Sequence, residues 1–141
     1  MQRTASAHWS GGLKDGNGTI SSQSGVLSNT QYSFSTRFES GIGTNPEELI
    51  AAAHAGCFTM ALSAELGKLG MTAESLDTKA ILTLDFIDGK PTITTSHLEV
   101  TARIPGADRD KFNEAVHNAE VGCPVSRVLN AKVSAAATLN S

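Results

Sequence analysis

The sequence predicts a mixed α+β fold built around one long buried helix. Three observations carry the prediction. Thr-, Ile- and Val-rich segments are joined by turn residues, one apolar helix signal runs from Asn45 to Leu69, and strands cluster instead of alternating singly with helices. At 141 residues and 14.7 kDa the chain is sized for one domain over residues 1–141.

The first forty residues read as strands over Thr4–Trp9, Gly18–Ser24 and Tyr32–Phe38. Asp15-Gly16-Asn17-Gly18 is a hairpin signal, because Asp-Gly and Asn-Gly supply the positive φ angles of tight turns. These glycines precede a strand and do not open a helix, so they are not a nucleotide-binding loop. At Asn45-Pro46-Glu47-Glu48 a helix begins. Asn45 suits the N-cap, Pro46 the first helical position, and Glu48 the third position of a capping box. Only Gly56 and Gly67 interrupt it before Gly70 closes it. Leu49, Ala53, Phe58, Ala61, Leu62 and Leu66 make it apolar nearly all round, the mark of a buried helix. In so small a chain that helix needs a sheet or a second subunit around it, which points to a dimer. Strands follow over Thr78–Phe86 and Thr92–Ile104, joined by Asp88-Gly89-Lys90-Pro91. A helix over Asp108–Val121, a short one opened by Cys123-Pro124, and a strand over Lys132–Leu139 complete the order.

Charge and composition exclude several classes. Eleven Lys and Arg against fourteen Asp and Glu give a net charge of −3. A nucleic-acid binder needs a basic footprint instead. The longest apolar run, Leu49–Ala64, is broken by His54, Thr59 and Ser63 and falls short of the ~20 residues of a membrane span. The opening Met1–Trp9 carries no apolar signal segment. Two cysteines are too few for a disulfide scaffold, so a soluble cytoplasmic protein with free thiols is expected.

The chemistry narrows to those thiols. His54 and Cys57 stand three apart, but two ligands do not make a zinc site, so no metal is expected and His54 reads as a packing residue. Gly-x-Ser-x-Gly is absent. Cys57 sits mid-helix among Ala53-His54-Ala55-Gly56 and Phe58, and on spacing alone an inert buried thiol explains it. Burial raises a thiol pKa, so a reactive thiolate there needs a cation from elsewhere. Cys123, just before Pro124, sits at a helix start whose amides favour a thiolate.

Residues Arg37-Phe38-Glu39, Gly43 through Phe58, and Gly122-Cys123-Pro124-Val125-Ser126 together resemble the OsmC/Ohr family of osmotically inducible and organic hydroperoxide resistance proteins. His8-Trp9 and Ser24-Gly25-Val26-Leu27 resemble the OsmC branch. The resemblance implies antiparallel sheets wrapped around the central helix in an intertwined homodimer. It also implies a thiol peroxidase that reduces organic hydroperoxides, without a bound cofactor, in defence against oxidative or osmotic stress. Cys57 would be the peroxidatic thiol and Cys123 the resolving one, joined in a disulfide during turnover. Arg37 would supply the cation, Glu47 would orient it, and a dihydrolipoyl dithiol or lipoylated protein would be the reductant. Of the two glutamates, Glu47 stands roughly 80° from Cys57 around the helix and Glu48 roughly opposite, while Glu48 has the capping role. About 15 Å of helix axis separates Glu47 from Cys57, so Arg37 must bridge them or they belong to different subunits. Phe58 and Met60 would form an apolar entrance. Two other classes stay open: a redox sensor or thiol-bearing binding protein without turnover, and a structural protein with inert thiols.

Overall fold

The computed structural model describes residues 1–141. Its elements are β1 (Ala5–Ser10), β2 (Asn17–Ser22), β3 (Thr30–Tyr32), α1 (Phe34–Phe38), α2 (Pro46–Lys68), β4 (Ser75–Ile87), β5 (Lys90–Arg103), α3 (Arg109–Gly122), α4 (Pro124–Val128) and β6 (Lys132–Asn140). The chain divides into two compact units, residues 1–49 and 50–141.

The first unit is an antiparallel sheet in the order β1-β2-β3, followed by α1 and the first turn of α2. Its turn differs from the expected one. β2 already begins at Asn17, and the left-handed residue of the connection is Gly11, with φ 91°. Gly18 lies within the ladder instead. A Cβ there would come within 2.5 Å of the His8 carbonyl oxygen and 2.7 Å of the Trp9 ring. The third expected strand is the larger correction. Only Thr30–Tyr32 is extended, and Phe34–Phe38 is the helix α1. Ser33 and Thr36 decide it: the Ser33 amide donates to Thr36 Oγ1 at 2.8 Å, and the Thr36 amide donates to Ser33 Oγ at 3.3 Å. This is a capping box with Thr in the place usually held by Glu or Gln, so its signal in the sequence is weak.

The second unit holds the hydrophobic core. From α2 it takes Phe58, Leu62 and Leu66, all fully buried and spaced four apart, so they stack on one face. That stripe is narrower than the all-round burial expected, since Ala53, Gly56, Met60 and Ala64 are exposed in the single chain. At 23 residues α2 is long and apolar enough to cross a membrane by length and composition. The fully buried stripe gives it the packing of a core helix. Its end follows the glycine rule: Gly70 is left-handed at φ 79°, and the Met71 amide returns to the Leu66 carbonyl at 2.9 Å.

β4 and β5 form a long antiparallel hairpin with Ile87 opposite Lys90. The two residues between them, Asp88 and Gly89, have φ of 52° and 77°, the positive pair of a type I′ turn. The buried face of β5 is the alternating row Ser96, Leu98, Val100 and Ala102. From α3 come Phe112, Ala115, Val116 and Ala119, again at helical spacing. Asp108 caps that helix by accepting the Lys111 amide at 3.0 Å. The sheet order is β4-β5-β6, and here the expectation of antiparallel sheets needs correcting. β6 runs parallel to β5, because α3 and α4 return the chain to the end at which β5 began.

Candidate active site

Cys57 and Cys123 meet in the second unit. Both are free thiols, Cys57 half-buried and Cys123 fully buried. Three constraints place Cys123: it ends α3, its amide bonds the Ala119 carbonyl at 3.1 Å, and it caps α4. Pro124 occupies the first turn of α4, where its missing N–H costs nothing. The Ser126 amide then donates to Cys123 Sγ at 3.4 Å, so the sulfur takes the place of the usual capping oxygen. Cys57, one turn before Ala61 on α2, packs against the cluster that contains Cys123, and the two thiols shift one another's titration.

The two sulfurs differ in electrostatics. Burial pushes the Cys57 thiol up, and the hydrogen bond shared with Cys123 pushes the same way, against one favourable bond from the Val125 backbone. Burial also pushes Cys123 up, but the Ser126 amide, the Cys57 thiol, the Ser126 hydroxyl and the Val125 backbone outweigh it. Its pKa ends below the ordinary value. Of the two sulfurs, Cys123 is the one whose surroundings favour the thiolate. These groups agree with the helix-start argument for Cys123 and with burial raising the Cys57 thiol.

His54 was expected to pack, and it does, fully buried in the stripe of Phe58, Leu62 and Leu66. It also does something the sequence reading missed. Its Nδ1 bonds Ser96 Oγ at 2.6 Å and its Nε2 bonds Ser126 Oγ at 2.8 Å. A signal existed in the sequence: His54 and Ser96 are the polar members of two otherwise apolar rows, one on a helix and one on a strand. Burial holds the imidazole below its ordinary pKa. No cluster of three or more His, Cys, Asp or Glu side chains suits a metal ion.

The apolar entrance needs revision. Phe58 is wholly buried and lines no opening. Met60 is 78% exposed and borders an open groove of about 580 Å³, shared with Ala55, Gly56, Thr59, Leu76 and Thr78. Cys57 is not among the residues that line it.

Arg37 and Glu47 meet in the first unit. Arg37 Nε and Nη2 both lie 3.0 Å from Glu47 Oε1. The guanidinium also stands 5.2 Å from the centre of the Phe38 ring, one residue on. Glu47 Oε2 is buried and meets no hydrogen-bond partner. Glu48 has a separate structural task. Its amide donates to Asn45 Oδ1 at 2.7 Å, as an N-cap requires, while its carboxylate accepts from the Thr44 hydroxyl at 2.7 Å and does not close a capping box. Asn45 also donates to the Thr36 carbonyl at 2.8 Å, which ties the start of α2 to α1.

The model of the OsmC-like protein family matches residues 39–137, a span that includes Glu47, both thiols and His54. The chain belongs to the OsmC-like family. It is 48% identical over 134 residues to the peroxiredoxin OsmC of Escherichia coli strain K12, covering 95% of this chain and 94% of that one. It is 32% identical over 117 residues to the organic hydroperoxide resistance protein OhrB of Bacillus subtilis, covering 82% and 84%. The crystal structure of that OhrB superposes with a TM-score of 0.67, covering 97% of this chain and 98% of the other. The family fold extends to an OsmC-like protein of unknown function from Vibrio cholerae, with a TM-score of 0.77 at 17% identity over 97% and 99% of the two chains.

Proposed function

We propose that this protein is a thiol peroxidase that reduces organic hydroperoxides to alcohols in stress defence. The observation that carries the proposal is the pair of free thiols packed in one cluster, one on α2 and one capping α4, in a chain related to a peroxiredoxin and to organic hydroperoxide resistance proteins. The Cys57 thiolate attacks the peroxide O–O bond, one oxygen stays on sulfur as a sulfenic acid, and the departing alkoxide takes a proton and leaves as alcohol. Cys123 then attacks the Cys57 sulfur. The S–S bond forms as the S–O bond breaks, and the hydroxide leaves as water with the proton of the Cys123 thiol. A dithiol of the dihydrolipoyl type, free or on a lipoylated protein, reduces the disulfide by exchange and leaves as its own disulfide.

In this reading Arg37, held by Glu47, supplies the positive charge that Cys57 needs. Residues 1–141 act as one domain in a cytoplasmic homodimer. The exposed Ala53, Gly56, Met60 and Ala64 of α2 support the dimer, because a second copy would cover this otherwise apolar helix. The test is steady-state turnover with a dithiol, comparing cumene hydroperoxide with hydrogen peroxide. An alkyl body gains burial at roughly 25 cal/mol per Å² and hydrogen peroxide has none to bury, so cumene hydroperoxide should have the higher kcat/KM. A disulfide that forms without turnover would instead assign the protein to redox sensing.

A further inference from the structure

The side-chain hydrogen bonds of His54 lead to the residue whose amide holds the second thiol, not the first. Ser96 Oγ meets Nδ1 at 2.6 Å, Nε2 meets Ser126 Oγ at 2.8 Å, and the Ser126 amide donates to the Cys123 sulfur at 3.4 Å, with the hydroxyl of the same residue among the groups that favour its thiolate. Residues 54, 96 and 126 thus come from α2, β5 and α4, and the chain they form lies wholly in the second unit.

We propose that His54 is a positioning residue for the resolving step: its Nε2 fixes the Ser126 hydroxyl so that this hydroxyl donates to Cys123 as that sulfur attacks the Cys57 sulfenic acid. This rests on the peroxidase reading above.

Counting donors gives the polarity. A neutral imidazole has one N–H and one bare nitrogen, and each serine hydroxyl has one proton. If Nδ1 carries the proton, Ser126 must donate to Nε2 and has no hydroxyl proton left for sulfur. If Nε2 carries it, Ser96 donates to Nδ1, Nε2–H donates to Ser126 Oγ, and the Ser126 proton is free to point at Cys123. Negative charge on Cys123 selects the second arrangement, because a thiolate is the stronger acceptor. Neither serine ionises, so the chain changes tautomer without taking up net charge. The reaction itself is unaltered. The proton that Cys123 gives up leaves with the hydroxide from Cys57 as water, and His54 and Ser126 are neither oxidised nor reduced.

A role limited to holding α2, β5 and α4 together would use the same bonds, so the test must separate the two ends of the ring. The side-chain nitrogen of Gln reaches the place of Nε2, and that of Asn the place of Nδ1. His54→Gln keeps the bond toward Ser126, whereas His54→Asn keeps only the bond toward Ser96. The reduced dimeric protein is mixed with one equivalent of cumene hydroperoxide. Peroxide loss reports Cys57 oxidation, and acid quench, alkylation and intact mass report disulfide formation.

Disulfide formation should slow roughly tenfold in His54→Asn and in Ser126→Ala, and stay within about threefold of wild type in His54→Gln. Under excess peroxide the slowed variants should accumulate Cys57 sulfinic acid, because the sulfenic acid waits longer for its partner. Ser126→Ala keeps the amide bond to Cys123 and removes only a half-buried hydroxyl, so it reports on the idea even where a His54 variant fails to fold. Equal disulfide rates in His54→Asn and His54→Gln, or a wild-type rate in Ser126→Ala, overturn the role of His54 alone. A wild-type protein whose Cys57 does not react with the hydroperoxide overturns the peroxidase reading and this inference together.

Discussion

Residues 50–141 bury Phe58, Leu62, Leu66, Leu98, Ile104 and Phe112 against one another, whereas residues 1–49 bury no large apolar side chain. The first unit is held by its ladders, by the Trp9–Tyr32 ring contact with centroids 5.4 Å apart, and by polar bonds around Ser33, Thr36 and Asn45. A segment of that size without a core is marginal by itself. The division of labour follows. The sulfurs sit in the well-packed unit, where rigid walls fix their separation, and the charged pair Arg37–Glu47 sits where a guanidinium can stay 41% exposed. Cys57, packed against the core, is well placed and held toward its neutral form; a cation at a surface is ionised and loosely placed. Activity by this route needs both.

The largest effect should come from the sulfur that opens the reaction. Cys57→Ser should abolish peroxide consumption, because a serine hydroxyl is not ionised near neutral pH. Cys123→Ser should permit one oxidation and then carry Cys57 onward to the sulfinic acid. Intact mass after peroxide distinguishes them, and a Cys57→Ser protein that still gains oxygen at Cys123 would reverse the two roles.

Next is the contrast between the units in stability. Phe112→Ala removes a fully buried ring of the second unit and should cost about 3–5 kcal/mol. Trp9→Ala removes a half-buried ring of the first unit and should cost on the order of 1–2 kcal/mol. Urea unfolding followed by circular dichroism measures both. Equal costs would mean that the first unit contributes to the same cooperative core as the second.

Much of this contrast is legible in the sequence, for physical reasons that differ by element. The β4–β5 hairpin reads cleanly because Asp88-Gly89 satisfies a two-residue turn and the flanking strands alternate. α2, α3 and α4 read from their starts, since Asn45, Asp108 and Cys123-Pro124 are local signals. α1 did not, because a Ser-Thr capping box is weaker than a Ser-Glu one and Tyr32–Phe38 has the aromatic content of a strand. The parallel pairing of β6 is a matter of long-range topology that no local pattern encodes. The two thiols stand out in the sequence by themselves, whereas Arg37 and Glu47 were singled out only through the family resemblance. The bonds from His54 to Ser96 and Ser126 span 42 and 72 residues, so only the fold reveals them.

The activation hypothesis gives the next prediction. Burial and Cys123 both push Cys57 up, so if Arg37 supplies the proposed charge its removal should push Cys57 higher, by about 1–3 units. Arg37→Ala should therefore slow the first reaction with peroxide roughly tenfold or more at pH 7, with recovery as pH rises. Glu47→Gln should act in the same direction and more weakly. Glu48→Gln should leave the rate alone and cost at most about 1 kcal/mol, through the Thr44 bond. Thiolate absorbance against pH in the Cys123→Ser background isolates Cys57. An unchanged titration in Arg37→Ala would place the activating cation elsewhere.

The smallest effect concerns how far the two units share one transition. Burial holds His54 below its ordinary pKa of 6.5, and its bonded partners, Ser96 and Ser126, cannot offset a positive charge. The unfolded chain takes up the proton near pH 6.5 and the folded chain resists it, so the contribution is fully present above that pH. It is lost as pH falls toward the depressed folded value, by at most about 1.4 kcal/mol per unit. Between pH 6.5 and 5 most carboxylates remain ionised, so the difference in slope between wild type and His54→Gln isolates this residue. Trp9, the one tryptophan, reports on the first unit by fluorescence, while circular dichroism reports on the whole chain. If acid destabilisation through His54 moves both signals together, the two units unfold as one. If it moves circular dichroism and leaves Trp9 behind, the first unit owes its stability to something other than the core that holds the thiols.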